Sequence, residues 1–199
     1  PTRFAHLELF ETWLHQYSGP RRLAYDVGTG CGVLAFQLLQ QGFARVIATD
    51  SNPNAVESVR RELDRDPPTG VLYVQEADLF GSHDEQPELI VFNPPWLRGV
   101  PRNPIDQAIY YEEPLFERFF EKAHNRIVAE GRLVLLFSNL QQVADSSAPH
   151  PIQDELDRGG RFSLVDCRRR EVQVASTKTK RRKRDPASEF VELWELAPS

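Results

Sequence analysis

Only two cysteines, Cys31 and Cys167, occur in the 199 residues, in segments that read as different elements. Neither belongs to a CxxC pair, which argues against a disulfide framework and against a zinc site. No apolar run approaches the roughly 20 residues that a bilayer-spanning helix needs, and no signal peptide is visible. The five histidines, at 6, 15, 83, 124 and 150, lack metal-ligand spacing. His6 and His15 fall on the first helix as surface or packing residues. There is no internal repeat and no low-complexity domain. With 40% hydrophobic and 27% charged residues, the composition is that of one globular domain with a proper core. Cytoplasmic residence is the expectation. The chain opens at Pro1 rather than at a methionine, and a missing upstream segment is expected.

Charge is unevenly spread. Lys178, Lys180, Arg181, Arg182, Lys183 and Arg184 place six of the 24 basic residues within seven positions. The remaining 18, set against 29 acidic residues, leave the body at −11 where the whole chain is at −5. An acidic body with one basic patch is the result. Such a run is commonly a solvated hairpin tip; the functional alternative is contact with RNA phosphates.

Apolar residues recur every three or four positions from Phe4 to Tyr17, which predicts an amphipathic helix ended by Ser18-Gly19-Pro20. Short apolar strands are predicted at Leu23–Val27, Arg45–Asp50, Val71–Val74, Leu89–Phe92 and Arg132–Ser138. Helices are predicted between them at Val33–Gln41, Pro53–Leu63 and Glu113–Ala129. Asn52 caps the second of these, with Pro53 at its first position. Alternation of this kind argues for a parallel α/β sheet covered on both faces. Residues 145–160 read as part loop and part short helix. The stretches Phe162–Ser176 and Phe190–Leu196 alternate again, as an antiparallel hairpin with a long charged tip. Trp13 and Trp194 are predicted core residues.

Two motifs carry the chemistry. The run Asp26-Val27-Gly28-Thr29-Gly30-Cys31-Gly32 joins a strand to a helix. Its glycines permit a sharp turn and close approach of a ligand to the backbone. Asp26 suits the amino group of a zwitterionic, methionine-like moiety, and Asp50, ending the next strand, can accept both hydroxyls of a ribose. A nicotinamide-binding unit also pairs a glycine turn with a later acid, but its spacing is G-x-G-x-x-G. Asp78 can accept from an adenine amino group while Leu79 packs on the ring; the alternative is a helix cap. The second motif is Asn93-Pro94-Pro95-Trp96, which ends the apolar run 89–92. Two prolines cannot continue a central strand. They leave the Asn93 amide, the Pro94 carbonyl and the Trp96 ring to face a flat NH2 group, either an amide or a base amine.

In their order and spacing over roughly residues 21–140, these motifs resemble the class I S-adenosylmethionine-dependent methyltransferases. The proline signature resembles the NPP[YFW] amino-methyltransferases. The phrasing DVGTGCGVLA, ATDSNPNAV, ADLF and LIVFNPPW is most similar to the release-factor glutamine methyltransferases and their relatives. Those relatives usually carry Tyr after the prolines, where this chain has Trp96. The resemblance implies a doubly wound, mostly parallel, seven-stranded Rossmann-like sheet with a C-terminal antiparallel hairpin. It implies one catalytic domain over 1–199: a leading helix at 1–20, a cofactor-binding core at 21–140 and the hairpin at 160–199. S-adenosylmethionine is the implied cofactor, bound by Asp26, Gly28, Thr29, Gly30, Gly32, Asp50, Ser51, Asp78 and Leu79. Asn93, Pro94, Pro95 and Trp96 are the implied catalytic residues, and no metal is implied. The acceptor stays open between a protein glutamine, the leading reading, and an RNA or DNA base amine. A non-catalytic domain that keeps the fold and a nicotinamide-dependent reductase are further alternatives.

Overall fold

All five residues of the strand Leu23–Val27 are buried, because both of its faces are covered. Leu23, Tyr25 and Val27 enter one hydrophobic cluster and Ala24 the other, as a side-chain period of two dictates. The computed structural model describes residues 2–103, 106–172 and 189–199 and extends this double burial through a seven-stranded sheet. Its first half comprises α1 (Thr2–Gln16), β1 (Leu23–Val27), α2 (Val33–Gln40), β2 (Arg45–Asp50), α3 (Pro53–Arg65), β3 (Val71–Glu76) and β4 (Leu89–Phe92). Then follow β5 (Leu97–Arg98), β6 (Tyr110–Tyr111), α4 (Pro114–His124), β7 (Arg132–Ser138), α5 (Leu140–Ala144), α6 (Pro151–Arg158), β8 (Phe162–Glu171) and β9 (Phe190–Pro198).

The strand order is β3-β2-β1-β4-β7-β9-β8. The first five strands are mutually parallel, and β9 and β8 close the sheet as antiparallel strands. This is the expected doubly wound, mostly parallel α/β sheet with a C-terminal antiparallel hairpin. Helices α1, α2 and α3 pack on one face, through residues such as Phe10, Leu38 and Val59. Helices α4 and α6 pack on the other, through Phe119, Phe120 and Ile152. Trp13 and Trp194 are both in the core. Trp13 Nε1 donates to Glu195 Oε2 at 2.6 Å, and Glu8 pairs with Arg170, so α1 is fastened to the hairpin.

Local signals place the element starts well. Asn52 accepts from the Asn54 N–H at 3.0 Å and Pro53 opens α3. Helix α4, in contrast, stops at His124 and not at Ala129. The Val128 N–H donates to the Pro87 carbonyl at 3.1 Å, which draws the chain toward the start of β4 and out of the helical ladder. A two-stranded parallel ladder, β5 with β6, for which the sequence reading offered no element, forms through Leu97 N–H to Ile109 O at 3.0 Å and Gly99 N–H to Tyr111 O at 2.9 Å. The basic run 178–184 lies outside the described residues. Its nearest described neighbours, Val172 and Glu189, are joined by an N–H to carbonyl bond of 3.0 Å.

One consequence of the order matters for the site. From β1 the chain winds outward through β2 to β3, whereas β4 leads the other way, to β7. The carboxyl ends of β1 and β4 are therefore the switch point of the sheet, the place where open α/β sheets bind ligands. Val27 is level with Thr49 on one side and with Phe92 on the other, so both sequence motifs emerge at this edge.

Candidate active site

The glycine turn leaves β1 with Gly28, Gly30 and Gly32 at φ of 64°, 56° and 83°. A Cβ at Gly28 would stand 3.1 Å from the ring of Phe92, and one at Gly32 would stand 3.0 Å from Val59. Both positions thus combine left-handed backbone with a close approach that only glycine fits. The Thr29 N–H donates to the Thr49 carbonyl at 2.8 Å, and the Gly30 N–H to Asp50 Oδ2 at 2.8 Å. Asp50 Oδ1 accepts from the Asn52 N–H at 2.8 Å. The carboxylate at the end of β2 therefore links the glycine turn to the start of α3, with Ser51 exposed between them.

Asp26 is buried directly beneath the turn. Its Oδ2 accepts from Thr29 Oγ1 at 2.6 Å and from the Ala35 N–H at 3.0 Å, whereas Oδ1 is buried without a partner among the described residues. Desolvation pushes the carboxyl up to about 7, against the lowering pull of the Thr29 and Ala35 hydrogen bonds, and Asp50 adds to the rise. Between the ordinary carboxylate value of roughly 4 and this raised value, the native state holds a proton that the unfolded chain has released. The contribution of Asp26 to stability is thus complete at low pH and is lost as pH rises through about 7. Thermal unfolding at pH 5 and pH 8 should show Asp26→Asn gaining on the wild type at the higher pH. A difference between the two proteins that is constant across that range would mean that the native carboxyl is ionised throughout.

Beyond β3, Asp78 is on the surface and paired with Arg118 of α4. The sequence reading did not foresee this partner. Leu79 is buried and has φ of 67°, a left-handed conformation that costs a non-glycine residue about 1–2 kcal/mol. Thr49 Oγ1 donates to the Leu79 carbonyl. Fully buried Thr49 thus holds the glycine turn with its carbonyl and the Leu79 loop with its hydroxyl. Sequence reasoning overlooked it; the signal was a hydroxyl ending the otherwise apolar run 46–48.

Asn93 follows β4 directly. Pro94 is buried, and no hydrogen bond to its carbonyl occurs among the described residues. Asn93 Oδ1 is buried without a hydrogen-bond partner among the described residues, whereas Nδ2 lies 3.4 Å from His6 Nε2. Trp96 touches both hydrophobic clusters, and its Nε1 donates to the Leu136 carbonyl of β7 at 3.3 Å. The ring is therefore tied to the sheet backbone. His6, expected as a surface or packing residue, is buried on α1 with its ring edge-on to Trp96, 5.3 Å between centroids at 86°. The structure thus brings Asp26, the glycine turn, Asp50 and Asn93–Trp96 to one edge of the sheet, at the carboxyl ends of β1, β2 and β4, with Asp78 and Leu79 following β3.

Sheet order and the family match together make the chain a class I S-adenosylmethionine-dependent methyltransferase. The profile of the methyltransferase small domain family matches residues 9–157, and the chain belongs to that family. The ribosomal protein L11 methyltransferase of Pelotomaculum thermopropionicum is 34% identical over 80 residues, which are 40% of this chain and 26% of that protein. The chain thus matches about a quarter of that relative's length. Among solved structures, the ribosomal protein L11 methylase of Lactobacillus delbrueckii subsp. bulgaricus superposes with a TM-score of 0.64 at 16% identity, over 98% of this chain and 78% of that one. The 16S rRNA N2 G1207 methyltransferase of Thermus thermophilus, solved with S-adenosylmethionine and guanosine, superposes with a TM-score of 0.60 at 17% identity, over 100% of this chain and 43% of that one. At such identities the likeness is one of fold.

Proposed function

We propose that residues 1–199 form a single catalytic domain of the NPP[YFW] amino-methyltransferase group, which methylates a planar NH2 group, in first place the side-chain amide of a protein glutamine. The observation that carries this reading is Asn93: a buried carbonyl oxygen without a partner among the described residues, at the switch point of the sheet and next to the glycine turn. An acceptor left unsatisfied in a buried site is costly, and an incoming N–H would relieve that cost.

The residues fit S-adenosylmethionine. Gly30 has open space where a Cβ would stand, and Asp26 Oδ1 is a second buried acceptor without a partner. Asp26 and the glycine turn, with Thr29, would hold the methionine part, Asp50 and Ser51 the ribose, and Asp78 with Leu79 the adenine. The pairing of Asp78 with Arg118 is an exposed one and costs little to exchange. When bound, the cofactor supplies a methyl group already activated on a sulfonium. The protein's task is alignment. Asn93 Oδ1 and the Pro94 carbonyl would accept the two N–H bonds of the acceptor, fixing its angle and favouring localised lone-pair density on the nitrogen. Pro95 stiffens the turn, and Trp96 offers a flat wall. The methylated nitrogen then sheds one proton to water, so no histidine base is needed.

Tritium from labelled S-adenosylmethionine is expected in total protein and not in total RNA. Label confined to RNA would transfer the reading to a base amine. Calorimetry should register S-adenosylmethionine, and binding of NADH alone would overturn the assignment.

The RNA reading has its own support in charge and anchoring. β9 runs antiparallel to β7 with Val191 level with Ser138, so Val172 and Glu189 stand at the same edge as Asn93, with β7 between β4 and β9. If Lys178, Lys180, Arg181, Arg182, Lys183 and Arg184 meet phosphates, neutralising four of them should weaken RNA binding and flatten its salt dependence. Cofactor affinity should hold, since β1, β2 and β3 lie toward the opposite end of the sheet from β8 and β9. Unchanged RNA binding and salt slope would leave the run a solvated loop.

A further inference from the structure

We infer that His6 is a positioning residue for the methyl-transfer step, acting through the side chain of Asn93. The inference rests on the reading of Asn93 given above. A primary amide is nearly symmetric in shape but opposite in chemistry at its two ends, and rotation by half a turn exchanges acceptor for donor. An acceptor NH2 group needs the oxygen. With the nitrogen presented instead, two donors would face each other and the acceptor would be repelled.

His6 selects between these states. Its Nε2 lies 3.4 Å from Asn93 Nδ2, a distance at the long limit of a hydrogen bond, and catalytic bonds of this kind tighten when the substrate complex forms. An unprotonated ring nitrogen at that point accepts from the amide N–H and leaves Oδ1 as the free face. Oδ1 is indeed the end of Asn93 that is buried without a partner among the described residues. The ring is held in turn: it is 5% exposed and stands edge-on to Trp96. Helix α1 is itself seated by Phe10, Trp13 and Leu14 and bonded to β9 through Trp13 and Glu195. The leading helix is therefore part of the site, and it brings one heteroatom to an amide 87 residues away in the chain.

His6→Phe keeps an aromatic edge against Trp96 and removes the ring nitrogen; His6→Gln restores an acceptor oxygen. Turnover is measured with tritiated S-adenosylmethionine and whichever fraction, total protein or total RNA, accepts label from the wild type. His6→Phe should lower kcat about tenfold, the worth of one orienting hydrogen bond, with KM and cofactor affinity within about twofold. His6→Gln should recover to within about threefold of the wild type. In an Asn93→Ala background, His6→Phe should cause no further loss, because the group it orients is gone. Should His6→Phe fail to fold, His6→Leu takes its place. In 15N-histidine-labelled protein, the His6 ring should be neutral with its proton on Nδ1. Wild-type kcat in His6→Phe, losses that multiply in the double variant, or a proton on Nε2 would each overturn the inference. A fully active Asn93→Ala protein would instead bring down the reading of Asn93 itself.

Discussion

Asn93→Ala is expected to bind S-adenosylmethionine within about twofold of the wild type and to transfer methyl groups about 100-fold more slowly or worse. The asymmetry follows from where the side chain stands. The glycine turn, Asp50 and the Leu79 loop are braced by Thr49, Asn52 and one another, and none of them bonds to Asn93 in the structure. Cofactor affinity therefore has no reason to change. Asn93 Oδ1 would be satisfied only when an acceptor arrives, so its removal costs the transition state and not the resting enzyme. Calorimetry with the cofactor and single-turnover transfer with the labelled acceptor fraction separate the two quantities. Equal losses in both would make Asn93 a structural residue of the β4 end.

Asp50→Ala is expected to do the reverse. Its two oxygens hold the Gly30 and Asn52 N–H groups and, in the proposed complex, meet the ribose. Losing charge-assisted hydrogen bonds of this kind should weaken cofactor binding about 100-fold. Transfer at saturating cofactor should change far less, because Asn93 and Trp96 keep their own supports in His6 and the Leu136 carbonyl. Titration calorimetry together with a thermal melt decides the outcome. Unchanged affinity with a lowered melting temperature would reduce Asp50 to a clamp between the glycine turn and α3.

The two predictions divide the candidate site as the two motifs divided the chain, and both halves are legible for the same reason. A glycine turn after a buried strand and a double proline at a strand end are local constraints, decided by φ, by a missing N–H and by the room a Cβ needs. The same holds for Asn52 and Pro53 at the start of α3 and for the apolar run 89–92 in β4. Less legible were the places where a distant backbone group intervenes. The Pro87 carbonyl ends α4 early, and the pairing of Leu97 with Tyr110 forms a ladder the sequence reading did not contain. Nothing in Pro101-Arg102-Asn103 announces that pairing, since two-residue strands carry no periodicity.

Taken alone, the sequence determined the parallel α/β sheet, the glycine turn with its following acid, and the proline-ended strand. Period-two burial and backbone stereochemistry act within a few residues, so they are written in the chain itself. The tertiary structure alone decided that Thr49 joins the glycine turn to the Leu79 loop, that Asp78 pairs with Arg118, and that His6 stands on the amide of Asn93. Each of these joins groups 30 or more residues apart. No periodicity records such a contact, because it exists only once strand order and helix packing have brought the two ends together.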